Sequence, residues 1–284
     1  MLFPSLPEKN DKTYWNRLYG SSLALSIVEA SNTHKNGPVV IIVEDVTHAD
    51  VLTKEIEFYK DKKQTIYHLP DWETLPYDIF SPHQDIIAER LTTLHALQKI
   101  NSGDIVIIPI HTLAQRLAPR SYIQGNVLSL KIRQQLDIES FRRNLEASGY
   151  TNVNEVMEHG EFAIRGSIID LYPASSTMPY RIDLFDDEIE SIRCFDPQSQ
   201  RSDNKVESVE LLPAREFPTD EAGIKKFRSR YRELLSGDPL NSIIYKSVSD
   251  GIMPSGIEYY LPVFYDENTL DTLFNYLPKS ALYI

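Results

Sequence analysis

The 284-residue sequence predicts an α/β fold: a parallel sheet covered by helices, with an α+β segment inserted in the middle of the chain. Two apolar runs of strand length, GPVVIIV and DIVIIPI, lie on either side of helical patterns in the first third. Continuous apolar strands separated by helices indicate a parallel sheet with both faces buried. After about residue 122 the pattern changes to strands of alternating polarity, which indicates a sheet with one buried face and one solvent-exposed face.

The first third is predicted as strand, helix, helix and strand. THADVLTKEIEFYK follows the first strand with apolar residues in helical spacing, and Thr47 is its expected N-cap. DIIAERLTTLHALQKI repeats the helical pattern before the strand DIVIIPI. Between the two helices, LPDWETLPYDIFSPHQ is rich in proline and aromatic residues, so it predicts an ordered surface loop.

The middle third begins with a short strand, LSLKI, and a helix, IESFRRNLEASGY, that ends at Gly149. Two long alternating strands are predicted next. In GEFAIRGSIIDLYP, alternation places Phe162, Ile164 and Ile168 on the core face and Arg165 on the opposite face.

The second alternating strand, PYRIDLFDDEIESI, holds the most informative side chain of the sequence. Its parity places Ile182 and Leu184 in the core, and Arg181 and Phe185 on the polar face. An exposed aromatic ring between Arg165 and Arg181 predicts a surface on which another protein docks. The alternative is an ordinary exposed ring at a strand end, since much protein surface is apolar.

The last third returns to extended chain in VESVELLPAREFPT and then forms a charged amphipathic helix, EAGIKKFRSRYRELL. A second helical stretch is predicted near residues 241–249, and IEYYLPVFY is strand-like up to Pro262. The final residues ALYI indicate a buried strand without a closing helix, so we expect a fragment of a longer protein.

Composition narrows the function classes. The 29 Lys and Arg residues against 41 Asp and Glu give a net charge of -12, which opposes nonspecific binding to nucleic acids. The single cysteine, Cys194, excludes an internal disulfide framework and is typical of a reducing compartment. Without a signal peptide or an apolar run of membrane-spanning length, we expect a cytoplasmic protein with no membrane partner.

Motifs for catalysis are absent from the sequence, so we expect no enzyme activity, no catalytic residue, no metal and no cofactor in this chain. No G-x-x-x-x-G-K-[ST] motif occurs. The glycine turn in LYGSSLALSIVEAS has no lysine that could bind the phosphates of a nucleotide. One alternative remains a nucleotide hydrolase with an unusual phosphate loop at Gly20, Ser21 and Ser22.

Other polar and aromatic pairs carry weaker signals. The pair His83 and Asp85 is more typical of loop hydrogen bonding than of a metal site, and the run Asp186-Asp187-Glu188 is typical of a polar turn. A second alternative is a reader of damaged DNA that stacks bases on Trp72 and Tyr77. Asp71-Trp72-Glu73 is a weak candidate for a carboxylate dyad, because side chains of adjacent residues point apart.

Three long stretches carry a family resemblance: DWETLPYDIFSPHQDIIAERL, GEFAIRGSIIDLYP and PYRIDLFDDEIESIRCFDPQSQRS. Together with LLPAREFPTD and GIEYYLP, in the same order, they resemble the N-terminal region of the bacterial transcription-repair coupling factor family, Mfd. The same region is similar to the excision-repair protein UvrB and is identified as a UvrB-homology module.

The resemblance implies three domains. Residues 1–121 would form UvrB-like domain 1a and residues 211–284 a truncated domain 1b, which combine into a degenerate helicase-motor-like sheet of the P-loop type. Residues 122–210 would form domain 2, the α+β insert on which the repair ATPase UvrA docks. The family residues known for that contact match Arg165, Arg181 and Phe185 in this sequence.

The resemblance also implies a function. The module would recruit UvrA to RNA polymerase stalled at DNA lesions, while the full-length protein would release the polymerase by ATP-driven translocation on double-stranded DNA. RNA polymerase, DNA, ATP and Mg²⁺ would belong to the full-length protein, in which a C-terminal domain covers the docking face until the motor engages. Because this chain lacks the P-loop and the long aromatic hairpin of UvrB, neither hydrolysis nor lesion recognition is expected here.

Overall fold

The computed structural model describes residues 5–8, 11–76 and 78–284. The chain divides into two compact units. The first comprises the described residues up to Asp71 together with Ala96–Gln115 and Thr272–Ile284, and the second comprises Trp72–His95 and Arg116–Asp271. Each unit is therefore assembled from segments that are distant in the sequence.

Helices and strands are numbered in chain order. The helices are α1 (Ser22–Thr33), α2 (Val46–Tyr59), α3 (Gln84–Ala96), α4 (Ile110–Leu113), α5 (Arg120–Gly125), α6 (Ile138–Ala147), α7 (Glu221–Leu234), α8 (Ile243–Ser249) and α9 (Leu273–Tyr276). The strands are β1 (Val39–Val43), β2 (Ile66–His68), β3 (Ile105–Pro109), β4 (Leu128–Lys131), β5 (Thr151–Asn152), β6 (Glu161–Arg165), β7 (Ile168–Leu171), β8 (Tyr180–Phe185), β9 (Glu188–Phe195), β10 (Ser202–Val206), β11 (Ser208–Leu211) and β12 (Leu282–Tyr283).

The first unit is built on a parallel sheet with the strand order β12-β1-β3-β2. β1 lies between β12 and β3, with Val39 paired to both Leu282 and Ile105. β3 is buried along its whole length, as expected for a parallel strand with both faces covered. The sheet confirms the predicted α/β class. The strand predicted for ALYI is present as the edge strand β12, but the prediction that it is buried is wrong, because Leu282 is half-buried and Tyr283 is exposed.

Helices α1 and α2 pack their apolar sides together with β1 and β3 in the core of the first unit. The buried members of this core are Ala24, Ile27, Val28, Val39, Ile41, Ala49, Leu52, Ile56, Ile105 and Ile107. The predicted N-cap of α2 is wrong by two residues. Asp45, not Thr47, caps the helix, because its carboxylate accepts a 2.8 Å hydrogen bond from the His48 N–H.

The second unit contains a six-stranded sheet with the order β10-β9-β8-β7-β6-β5 and a two-stranded sheet of β4 and β11. The segment GEFAIRGSIIDLYP, predicted as one strand, is a hairpin of β6 and β7. Gly166 turns the chain at φ +62°, a conformation that glycine adopts without steric cost. Because Arg165 pairs with Ile168, Ile168 lies on the Arg165 face and not, as predicted, on the Phe162 face.

The core of this sheet lies on the side predicted from alternation along β8. Ile182 and Leu184 are buried there, together with Phe141 and Leu145 from α6. The remaining buried members of the cluster are Leu130, Leu136, Tyr150, Phe162, Ile169, Leu171, Ile189, Ile192, Val209, Leu211 and Ala214. Burial raises the pKa of Tyr150, whose hydroxyl donates a 2.7 Å hydrogen bond to the Leu212 carbonyl.

The prediction of a strand in IEYYLPVFY is wrong, because Ile257–Val263 is a 3₁₀ helix. Pro262 has no N–H to donate to a sheet, which disfavours a central strand at this position. Glu258 is buried, and its carboxylate accepts hydrogen bonds from Arg215 at 2.9 Å and from Ser81 at 2.8 Å. Helical spacing lets this buried carboxylate lie beside the apolar side chains of Ile257 and Leu261.

Candidate functional site

Strand register sets which side chains share the polar face of the six-stranded sheet. Arg165 pairs with Ile168, and Ile168 pairs with Asp183 on β8. One step along, Asp170 pairs directly with Arg181. Residues paired across antiparallel strands project from the same face, so these charged side chains lie opposite the buried core of the sheet.

Asp170 connects the two predicted arginines. Its side chain is 1% exposed, and it accepts hydrogen bonds from Arg181 Nε at 2.7 Å and Arg181 Nη2 at 2.9 Å. Arg165 donates to the same carboxylate through Nη2, and its Nη1 donates to the Asn154 carbonyl at 3.2 Å. Two guanidinium groups thus share one buried carboxylate, which leaves the cluster with one excess positive charge. We call Arg165, Asp170 and Arg181 the arginine cluster.

Arg181 is held from several sides. Its Nη1 donates to the Gln200 carbonyl at 3.1 Å, and the guanidinium lies over the Phe195 ring at 4.8 Å from the centroid. The hydrogen bonds with Asp170 raise the pKa of Arg181. Its side chain is 17% exposed, whereas that of Arg165 is 47% exposed. Arg181 is therefore fixed within the face, and Arg165 is the more accessible cation.

Phe185 is 70% exposed at the end of β8, as alternation predicts. It lies four residues beyond Arg181, which corresponds to about 13 Å along an extended strand. The next residues are Asp186 and Asp187, in the polar turn predicted between β8 and β9. The expected arrangement, a ring between two guanidinium groups, is therefore wrong, because both guanidiniums bind Asp170. The partner-binding role of Arg165, Arg181 and Phe185 stays a prediction.

Alternation along β8 places Asp183 on this face, but sequence reasoning missed Asp170 and the partners of both carboxylates. Asp183 accepts a hydrogen bond from Ser191 Oγ at 2.7 Å and forms an ion pair with Arg193. Asp170 was detectable, because an acidic residue inside the apolar run IIDLY needs a cationic partner. The identity of that cationic partner can be predicted only when the hairpin at Gly166 is recognised, since the hairpin sets the register of β7.

One of the two residues of the alternative DNA-reading site, Trp72, has its ring covered. Trp72 is buried, and the Arg90 guanidinium covers its ring at 3.9 Å from the centroid. Tyr77 lies outside the described residues. The Trp72 ring is therefore unable to stack on a nucleotide base in this structure.

The other weak candidates form local contacts. His83 Nδ1 lies 3.3 Å from the Asp85 carboxylate, and both side chains are exposed. At the glycine turn before α1, the Ser21 hydroxyl lies 2.8 Å from the Tyr59 hydroxyl. Within residues 5–8, 11–76 and 78–284, no three His, Cys, Asp or Glu side chains are grouped to hold a metal ion. Among the helices of the same residues, none is long and apolar enough to span a bilayer.

Comparison with known proteins identifies relatives of the segment that contains this face. A protein-family model described as the UvrB interaction domain matches residues 128–217. The transcription-repair-coupling factor of Escherichia coli K12 is 45% identical over 281 residues, which is 99% of this chain. Over nearly its whole length, the chain is similar to part of this transcription-repair-coupling factor. The factors of Haemophilus influenzae and Myxococcus xanthus are 44% and 29% identical over 99% and 84% of the chain.

The chain corresponds to part of each of these relatives. It spans 24% of the length of the Escherichia coli and Haemophilus influenzae factors and 21% of the Myxococcus xanthus factor. The UvrB interaction domain begins at β4 and ends beyond β11, so it includes the arginine cluster and Phe185.

Proposed function

We propose that this chain recruits the nucleotide excision repair protein UvrA to RNA polymerase stalled at DNA lesions. One observation carries the proposal: the segment that matches the UvrB interaction domain is a sheet that exposes Phe185 on its polar face. A large aromatic ring that is mostly exposed at a strand end is a typical anchor for a partner protein.

Phe185 would bury its ring in an apolar pocket of UvrA. Aromatic anchors at the centre of an interface contribute much of the binding free energy, because they bury a large apolar area with few rotatable bonds. Truncation of the ring would weaken binding by about 1 to 4 kcal/mol. The fold would tolerate this truncation, since the ring contributes little to the core.

The arginine cluster would supply the electrostatic part of the contact. Arg165 is the more exposed cation and would donate to carboxylates on UvrA, which accept two parallel hydrogen bonds from a guanidinium. Arg181 would act chiefly by positioning, because it is held by Asp170 and Gln200. The docking face would therefore be ordered before UvrA arrives, which lowers the entropic cost of binding.

The full-length protein would add functions that this chain does not carry. It would bind RNA polymerase and double-stranded DNA and would release the stalled polymerase by ATP-driven translocation, with Mg²⁺ and ATP held by segments beyond the match. In that protein a further domain would cover Phe185 until the motor engages, because a free apolar anchor attracts wrong partners. Each of these steps takes place in the bacterial cytoplasm.

The parallel sheet of the first unit would be a degenerate motor fold without nucleotide hydrolysis. Support comes from its four parallel strands and from the turn at Gly20, which enters α1 without the lysine that a P-loop uses on phosphates. The predicted division at residues 121 and 210, into domains 1a, 2 and 1b, remains part of this proposal. The chain would thus act as a scaffold and not as an enzyme.

Competition with UvrB tests the proposal. Purified UvrA would be immobilised, and capture of the 284-residue chain would be measured with increasing UvrB, which we expect to displace the chain because both use the same UvrA surface. A chain that UvrA does not capture, or that stays bound at saturating UvrB, would contradict the proposal. Bovine serum albumin in place of UvrB is the control for nonspecific displacement.

A further inference from the structure

Helix α7 carries five basic residues that fall into two groups. Lys226 Nζ is paired with Asp266 at 2.9 Å, and Arg230 with Glu233 at 2.8 Å. The second group is exposed, has no carboxylate partner among the residues that the structure describes, and consists of Lys225, Arg228 and Arg232. A spacing of three and four residues places this second group on one side of the helix. We call it the basic face.

Four aliphatic side chains are exposed at the end of α7, in the connection that follows it and at the start of α8. The members of this aliphatic corner are Leu234, Leu235, Leu240 and Ile243. The corner follows the basic face along the chain, because Leu234 and Leu235 come two and three residues after Arg232 at the end of α7. The Tyr231 hydroxyl also lies 2.8 Å from the hydroxyl of Ser242, the N-cap of α8, so the start of α8 is held against α7.

Neither feature is explained by the fold. Among the described residues no carboxylate forms an ion pair with the basic face, although Glu221 lies one turn before Lys225 on the same side of α7. The like charges of the face repel at helical spacing. The apolar side of α7 is already occupied, because Phe227 and Tyr231 pack into the cluster with Tyr245 and Phe264. The aliphatic corner therefore lies outside the core that holds α7 and α8 together, and adjacent exposed aliphatic residues mark an interaction surface.

We propose that the basic face and the aliphatic corner together bind an acidic protein segment that carries aliphatic anchor residues. The charge of the face complements such a segment, and the corner offers apolar area to its anchors. A nucleic acid would use the cations but not the aliphatic side chains, and the net charge of -12 would repel it. The surface is separate from Phe185 and the arginine cluster, so the proposal does not depend on UvrA binding.

Peptide selection tests this proposal directly. A displayed library of random 16-residue peptides would be selected on the whole chain, with counter-selection on the double variant Arg228→Glu/Arg232→Glu. We expect the selected peptides to combine Asp and Glu with Leu, Ile or Val at helical spacing. The consensus peptide would then be labelled and titrated against the variants by fluorescence anisotropy.

Matched variants separate the proposed surface from general electrostatics. We expect Arg228→Glu/Arg232→Glu and Leu240→Ser/Ile243→Ser each to weaken peptide binding about 10-fold or more. The control Lys62→Glu/Lys63→Glu makes the same change in net charge at exposed lysines outside α7 and should stay within about twofold. Unchanged melting temperatures would establish that the variants are folded.

Three results would overturn the proposal. The first is a selection that yields no peptide preferring the native chain over the charge-reversed variant. The second is an equal loss of binding in the lysine control. The third is tighter binding of a 20-nucleotide single strand, or of phosphatidylserine vesicles, than of the consensus peptide.

Discussion

Asp170 and Arg181 face each other across β7 and β8, and Arg181 Nε donates a 2.7 Å hydrogen bond to the Asp170 carboxylate. The carboxylate is buried, and it also binds Arg165. Arg165 lies on β6 and Arg181 on β8, so the Asp170 side chain on β7 binds a cation from the strand on each side. The proposed docking face is therefore an internally bonded surface, in which contacts within the chain order the polar side chains.

Asp170→Asn should destabilise the sheet and weaken UvrA binding together. The amide keeps the shape of the side chain but leaves two guanidiniums without a counter-charge, and loss of one partner of a buried ion pair costs about 3 kcal/mol or more. Urea denaturation followed by circular dichroism measures the loss. Asp186→Asn, in the exposed turn, is the matched control, and equal midpoints for the two variants would contradict the assigned role of Asp170.

Arg181→Ala should lower the free energy of unfolding more than Arg165→Ala does. Arg181 loses two bonds to Asp170 and its contact with the Phe195 ring, whereas Arg165 is about half exposed. We expect a loss of about 2 to 3 kcal/mol for Arg181→Ala and below about 1 kcal/mol for Arg165→Ala. Thermal and urea denaturation of both variants measure the difference. The reverse order would show that Arg181 is not held as described.

Ile182→Asp should unfold the second sheet, and Phe185→Asp should leave it folded. Ile182 is fully buried, so the new carboxylate would lose its hydration without a partner, at a cost of about 4 kcal/mol or more. Phe185 projects into solvent from the opposite face. Far-ultraviolet circular dichroism and melting temperature distinguish the two variants, and similar melting temperatures would refute the assignment of the two faces.

Cys194 should react slowly with iodoacetamide in the folded chain. Burial raises the pKa of its thiol, so at pH 8 a smaller fraction is thiolate than in the unfolded chain, and the thiolate is the reactive form. The rate should increase in urea, and its pH midpoint should decrease toward the ordinary value. A folded chain that reacts as fast as the unfolded one at every pH would contradict this prediction.

The parts of the fold that could be predicted from sequence depend on local periodicity. Alternation along β8 correctly separated the buried Ile182 and Leu184 from the exposed Phe185, because successive side chains on one strand need no information about partners. The apolar runs at β1 and β3 likewise indicated a parallel sheet, since only strands covered on both faces are apolar throughout.

The remaining features depend on pairings between distant residues. Strict alternation through Gly166 predicts one continuous strand and places Ile168 on the Phe162 face, whereas the hairpin places it on the Arg165 face. The same error concealed the contact of Asp170 with both arginines, which only the register of β6, β7 and β8 creates. Local sequence does not predict the 3₁₀ helix at Ile257–Val263, because the buried Glu258 carboxylate is bound by two residues that are distant in the sequence, Arg215 and Ser81.

The most direct test of UvrA docking compares Phe185→Ala with the native chain. The dissociation constant for UvrA would be measured by isothermal titration calorimetry, with melting temperatures to establish that both chains are folded. We predict that binding weakens at least about 10-fold while the melting temperature stays within about 1 °C, because the ring contributes to the interface and not to the core. Equal dissociation constants for the two chains would contradict the claim that UvrA docks on this face.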